Sequence, residues 1–102
     1  MLEIRVLTTD ETFVEDLNAA GIEGVRADFR PTMAYDSADR VVEIVIGAVS
    51  GAALKFVSDW IILRLRKQLP SQMVINNCDV KNAENVTIII NNYIDTQNKG
   101  KN

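Results

Sequence analysis

The sequence predicts an α+β fold: a two-layer β-α-β-α-β-β chain with a mixed four-stranded sheet and two helices on one face. Three observations indicate it. Apolar and polar residues alternate at the start of the chain, the stretch Val41–Lys67 has its polar and small residues at helical spacing, and β-branched residues crowd the segment after Pro70. The 102 residues are predicted to form one domain over 1–94 and a disordered polar tail over 95–102.

The first elements are short. Residues 2–6 alternate between apolar and charged side chains, which predicts a strand with one buried face. Residues 10–20 carry an apolar stripe at helical spacing and end before Gly21, a residue type favoured just after a helix. Residues 25–29 alternate again. Strand, helix and strand with short connections predict a right-handed βαβ unit with parallel strands.

The next element is predicted to be one unusually long helix over residues 38–68. Its polar and small residues recur at the three- and four-residue spacing of a helix face. A loop that begins at Pro31 precedes the helix, and Leu69-Pro70 ends it. The residues of the polar stripe are Glu43, Gly47, Ser50, Gly51, Lys55, Ser58 and Asp59.

The last element is predicted to be an antiparallel hairpin. The segments "SQMVINNCDV" and "NVTIIINNYI" are rich in β-branched residues and are separated by the turn-like "KNAE". In this arrangement Val86, Ile88 and Ile90 share one face of the second strand.

Composition excludes several classes of function. With one cysteine and no histidine, the chain cannot form an internal disulfide, a Cys/His zinc site or a catalytic dyad that needs imidazole. We interpret Cys78 as a small, partly buried side chain. A net charge of −3 and a pI near 4.8 argue against nucleic-acid binding. Residues 1–50 sum to −6 and residues 51–102 to +3, which fits either an ordinary surface or an acidic face that docks on a basic one.

Three interpretations of the long apolar stretch stay open: a membrane span, a core helix, or an interface. Ile44–Leu63 is long enough to span, but Lys55 and Asp59 each cost about 2.5–3.5 kcal/mol near the bilayer centre. As a core helix it is apolar over a wider arc than a sheet can cover. We expect a helix that is half core and half interface. The candidate interface residues are Gly47, Ala48, Gly51, Ala52, Lys55, Trp60, Arg64 and Arg66.

Catalysis is not expected. The candidate acids Asp10, Glu11, Glu15 and Asp16 crowd one exposed helix face, where such runs normally complement the helix dipole. No phosphate loop, nucleophile motif or metal spacing appears, and no cofactor is expected.

The pattern of elements resembles a bacterial family, the effector-associated constant components of multi-part conflict systems. The resemblance is carried by the strand Leu2-Glu3-Ile4-Arg5-Val6, the Gly/Ala-rich segment from Gly47 to Ala53, and Trp60 followed by Arg64 and Arg66. The closing segment departs from it, because it is more apolar and richer in amides than the charged hairpin of that family. The resemblance implies an accessory or adaptor role and no catalytic residues. A cytoplasmic location is a separate expectation.

The functional expectation is therefore a non-catalytic interaction protein that self-associates through its long helix and serves a larger assembly with a protein partner. Two alternatives remain: an inhibitor of the phage or immunity type that binds a larger protein target, and a small membrane-associated protein with residues 44–63 inserted.

Overall fold

The computed structural model describes residues 2–30 and 41–99, which form three helices and a five-stranded sheet. The predicted α+β class is confirmed, but the number of strands and helices is higher than predicted. The elements in chain order are β1 (Leu2–Thr8), α1 (Phe13–Ala19), β2 (Val25–Arg30), β3 (Val42–Ala48), α2 (Gly51–Lys67), β4 (Met73–Ile75), β5 (Cys78–Asp79) and α3 (Ala83–Lys99).

The strand order of the sheet is β2-β3-β1-β4-β5, and every neighbouring pair is antiparallel. The prediction of a mixed sheet is therefore wrong. β1 and β2 do run in the same direction, but β3 lies between them and is antiparallel to both. The order β2-β3-β1-β4 with two crossover helices is the split, ferredoxin-like arrangement, to which β5 and α3 are added.

The predicted helix over residues 38–68 is wrong, because β3 occupies residues 42–48 and only Gly51–Lys67 is helical. β3 pairs with β1 on one side and β2 on the other, and it buries Ile44, Ile46 and Ala48 completely. Ser50 is extended (φ −155°, ψ 167°), and its side chain accepts a hydrogen bond from the backbone of Ala53. This cap starts the helix.

The prediction of a second hairpin strand is also wrong, because its residues belong to the helix α3. Val86 and Ile90 are fully buried one turn apart, whereas Ile88 between them is 58% exposed. At the N-terminus, the side chain of Asn82 accepts from the Asn85 backbone N–H, and the side chain of Asn85 accepts from the backbone N–H of Asn82 in return. This reciprocal cap starts a helix despite the β-branched content of the segment.

A small hairpin of β4 and β5 remains from the predicted one. Asn76 and Asn77 both have positive φ (48° and 67°), as a two-residue hairpin turn of the primed type requires. At the other end of the segment, α3 extends to Lys99, into residues 95–102 that were predicted to be a polar tail. The predicted loop that begins at Pro31 lies in residues 31–40, outside the described residues.

One continuous core joins the sheet to all three helices. β1 contributes Ile4 and Val6, whereas Arg5 between them is exposed on the opposite face of the sheet. The sheet and the helix layer therefore each turn an apolar side toward the core, as in other two-layer α+β folds. The largest fully buried side chains from the helices are Phe13, Leu17, Leu54, Ile61 and Ile90.

Polar side chains bond to backbone groups along two stretches without a partner strand: the outer edge of β2 and the start of β1, which β4 does not reach. On β2, the carboxamide of Asn18 both accepts from the N–H and donates to the C=O of Ala27, each at 3.0 Å. On β1, the side chain of Asn76 accepts from the Arg5 N–H at 2.9 Å, and the Tyr93 hydroxyl accepts from the Glu3 N–H at 3.0 Å. Because these groups take the place of a neighbouring strand, the edges are poor templates for strand addition.

The span predicted as a membrane alternative does not exist as one helix, since Ile44–Leu63 is divided between β3 and α2. Within residues 2–30 and 41–99, none of the helices combines the length and apolarity needed to cross a bilayer.

The register of α3 gives a test with an internal control. Ile90→Ala should lower the free energy of unfolding by about 2–5 kcal/mol, because it empties a fully buried site. Ile88→Ala should change it by less than about 0.5 kcal/mol, since the side chain is exposed on a helix and alanine favours helices. Urea unfolding measures both values. Equal losses at the two positions would restore the strand interpretation, in which both residues share one face.

Candidate interaction surface

The outer face of α2 exposes large apolar side chains. Phe56 and Leu63 are 63% and 58% exposed, and they lie two helical turns apart on the same side of the helix. Ala52, also exposed, lies one turn before Phe56. Lys55 and Asp59 are exposed and lie one turn apart beside this apolar stripe. We call these five residues the α2 outer face.

The inner face of α2 explains this orientation. The Ser50 Oγ accepts from the Ala53 N–H at 3.2 Å, which sets where the helix begins. Core contacts then set how the helix is rotated about its axis. The buried residues of α2 are Ala53, Leu54, Val57, Ser58, Ile61 and Leu65.

α1 and α3 contact α2 on its sides and leave its outer face to solvent. At the start of α2, a Cβ on Gly51 would lie 3.6 Å from the side chain of Ile94, an ordinary van der Waals distance, so α3 packs beside α2 there. At the end of α2, Arg64 reaches across to Asp16 of α1. The helix therefore has a neighbour on two sides, a sheet beneath it, and an outer face that none of the described elements covers.

Arg64 joins the end of α2 to the segment between β1 and α1. Its Nε lies 2.6 Å from Oδ2 of Asp10 and its Nη2 lies 3.0 Å from Oδ1, a bidentate pair. Its Nη1 lies 2.8 Å from Oδ2 of Asp16, and Nη2 also donates to the Thr12 hydroxyl at 2.9 Å. The side chains of Asp10 and Arg64 are only 19% and 23% exposed, so solvent screens this pair incompletely.

Two aromatic rings complete the environment of Arg64. The guanidinium carbon lies 5.3 Å from the centroid of the Trp60 ring and 5.9 Å from that of Phe13. The two rings meet edge to face with centroids 5.2 Å apart. Because Phe13 is fully buried, this contact holds Trp60 in a half-buried position at the margin of the α2 outer face.

A polar cleft of about 880 Å³ lies beside the Arg64 cluster, between the start of α1 and the segment that follows α2. Hydrogen bonds from Arg64 and Thr12 lower the pKa of Asp16, and the hydrogen bond to Asp10 raises the pKa of Arg64. Arg64 and Asp16 are thus stabilised in their charged forms. Ion pairs of this kind stabilise the fold, but their charged groups are poorly suited to transfer a proton at neutral pH.

The four acids considered as catalytic candidates separate into two kinds. Asp10 and Asp16 face Arg64, and Glu11 and Glu15 are exposed. The engagement of Asp10 also explains why α1 begins at Phe13 and not at residue 10 as predicted. Its side chain pairs with Arg64, and the helix has no side-chain cap at Thr12.

The structure disperses the predicted interface residues. Gly47 and Ala48 belong to β3, where Ala48 is fully buried, and Gly51 lies against α3. Arg64 is engaged within the molecule. The four others remain on or beside the exposed side of α2, with Trp60 half-buried: Ala52, Lys55, Trp60 and Arg66.

Three residues of the α2 outer face were not among the predicted interface residues: Phe56, Asp59 and Leu63. Phe56 and Leu63 belong to an apolar arc that the sequence showed to be too wide for a core helix. Their separation by two turns could have identified them, but only with the correct start of the helix.

Cys78 lies in β5 and is exposed, so its predicted partial burial is wrong. No group of three metal-ligating side chains lies together in residues 2–30 and 41–99.

Comparisons with protein-family models, with curated proteins and with solved structures found no match to this chain.

The bidentate pair predicts a substantial role for Arg64 in stability. Arg64→Ala should cost about 2–3 kcal/mol, because it leaves the mostly buried carboxylate of Asp10 without its partner. Arg64→Lys should lose part of this, since a lysine cannot form the planar two-point contact. Arg66→Ala is the matched control, being exposed on the same turn, and should change stability by less than about 0.5 kcal/mol. Equal losses for Arg64→Ala and Arg66→Ala in denaturant titrations would contradict the assignment.

Asp16 adds a pH dependence. Its folded pKa lies below its unfolded pKa, so its stabilising contribution is complete above about pH 5 and is lost as the pH falls through the lowered folded pKa. Asp16→Asn should therefore destabilise the protein at pH 7, and the difference from wild type should shrink at more acidic pH. In an Arg64→Ala background the same substitution should have a smaller effect at pH 7. Urea titrations across pH measure these differences, and an unchanged effect in that background would exclude Arg64 as the cause.

Proposed function

We propose that this protein is a non-catalytic interaction protein that self-associates through the α2 outer face. The observation that carries the proposal is the exposure of Phe56 and Leu63 on one side of a helix whose opposite side fills the core. Exposed large apolar side chains that align along one element mark interaction sites more often than isolated ones do. Aromatic side chains are also enriched among residues that dominate binding energy.

The proposed surface is smaller than the one expected from the sequence. It lies within Gly51–Lys67, and it excludes the small residues of β3 and the engaged Arg64. The half-buried Trp60 contributes at its margin. A rigid helix held by the core on its inner side presents these side chains with little loss of conformational freedom on binding.

The non-catalytic part of the proposal draws on the Arg64 cluster. The cleft beside it contains carboxylates that pair with a guanidinium, and Asp16 and Arg64 are stabilised in their charged forms, which do not exchange protons near pH 7. An adaptor role in a bacterial conflict system follows from the resemblance alone and stays a prediction.

Self-association has a direct test. Wild-type protein should show a concentration-dependent increase in mass by light scattering and sedimentation equilibrium. Replacing both Phe56→Ser and Leu63→Ser should leave the protein folded and monomeric under the same conditions, because both side chains are exposed in the monomer.

The matched control is Ile88→Ser on α3, where an apolar side chain is 58% exposed outside the proposed surface. This variant should associate as wild type does. A wild-type protein that stays monomeric at high concentration would refute self-association. Association that survives the double substitution would place the interface elsewhere.

A further inference from the structure

Two charged side chains, Lys55 and Asp59, lie beside the apolar stripe of α2. We infer that the partner of the α2 outer face is the same helix of a second copy, packed antiparallel about a two-fold axis at the level of Val57. This inference rests on the proposed self-association and adds its direction and register. It follows from Lys55 and Asp59, which are exposed one turn apart on the same side of the helix.

An antiparallel pair with a two-fold axis is self-complementary: if one residue contacts a second, the second contacts the first. Lys55 of one copy then lies opposite Asp59 of the other, and the same pair forms again across the axis. The axis must pass midway between the two positions, at Val57. No ion pair joins Lys55 to Asp59 within the described residues, where the ion pairs involve other side chains.

This register also matches side-chain size. With the axis at Val57, Leu63 of one copy lies within about 1.5 Å of the level of Ala52 of the other, so a large side chain meets a small one. Phe56 lies beside the axis, next to its own symmetry mate, where the contact is shielded most fully from water. The offset between the two Phe56 positions along the axis is only about 3 Å, at the rise of about 1.5 Å per residue.

The alternatives are less complementary. Moving the axis toward residue 59 would place Phe56 opposite Leu63, but it would bring the two Asp59 carboxylates together at the centre. A parallel pair places each residue near its own equivalent, so Lys55 would approach Lys55 and Asp59 would approach Asp59. Like charges brought together at an interface disfavour both arrangements.

The size of the surface sets the expected strength. α2 has 17 residues, and a helix of that length extends about 25 Å with a diameter near 10 Å. A contact through one such face is smaller than the roughly 800 Å² per partner of standard stable interfaces. We therefore expect a weak, reversible dimer whose mass depends on concentration.

Charge exchange tests the arrangement. Lys55→Asp alone and Asp59→Lys alone should each weaken self-association about tenfold, since each turns two attractive pairs into repulsive ones. The double variant, in which both substitutions are combined, should associate within about threefold of wild type. An equimolar mixture of the two single variants should form a heterodimer, which sedimentation equilibrium of the mixture and of each component alone will detect.

The outcomes separate this inference from the proposed function. Association that requires Phe56 and Leu63 but shows no rescue in the double variant or the mixture would overturn the antiparallel register and keep the proposed surface. A wild-type protein that is monomeric at all concentrations would overturn both. Circular dichroism of each variant confirms that the fold is intact, which is expected because both charged residues are exposed.

Discussion

The structure depends on the pairing of β3 between β1 and β2. This strand is hydrogen-bonded along both edges and buries Ile44, Ile46 and Ala48 against the helix layer. Once residues 42–48 lie in the centre of the sheet, the chain must turn at Val49 and Ser50 to place α2 over the core. The later elements are built onto this arrangement: β4 pairs with the other edge of β1, and α3 packs against α2.

Two kinds of polar contact hold the periphery of this arrangement. The bidentate contact of Arg64 with Asp10 joins the end of α2 to the loop before α1, and the rings of Trp60 and Phe13 lie beside the guanidinium. Carboxamides of Asn18 and Asn76 satisfy backbone groups at strand edges that lack a neighbouring strand. Strand addition is thereby disfavoured along these stretches of β1 and β2.

The apolar excess of the central stretch has a different origin from the one that the sequence suggested. Part of it belongs to β3, which is paired on both edges and therefore rich in β-branched residues. Another part faces the core from α2. What remains exposed is Phe56 and Leu63, a smaller surface than a helix over residues 38–68 would present. An interface through α2 alone is consequently expected to be weak.

The sequence by itself determined the α+β class, the first strand, the first helix with its end at Gly21, and the second strand, because periodicity and a left-handed glycine are local signals. It also showed that the central stretch was too apolar for a simple core helix. Only the tertiary structure decided that residues 42–48 form a strand and residues 83–99 a helix. "VVEIVIGA" is rich in β-branched residues, which favour a strand, but its polar and small residues continue the helical spacing of the segment after it, and pairing on two edges decided the outcome. "NVTIIINNYI" is equally rich in β-branched residues, and there the Asn82–Asn85 cap with burial of Val86 and Ile90 outweighed local propensity.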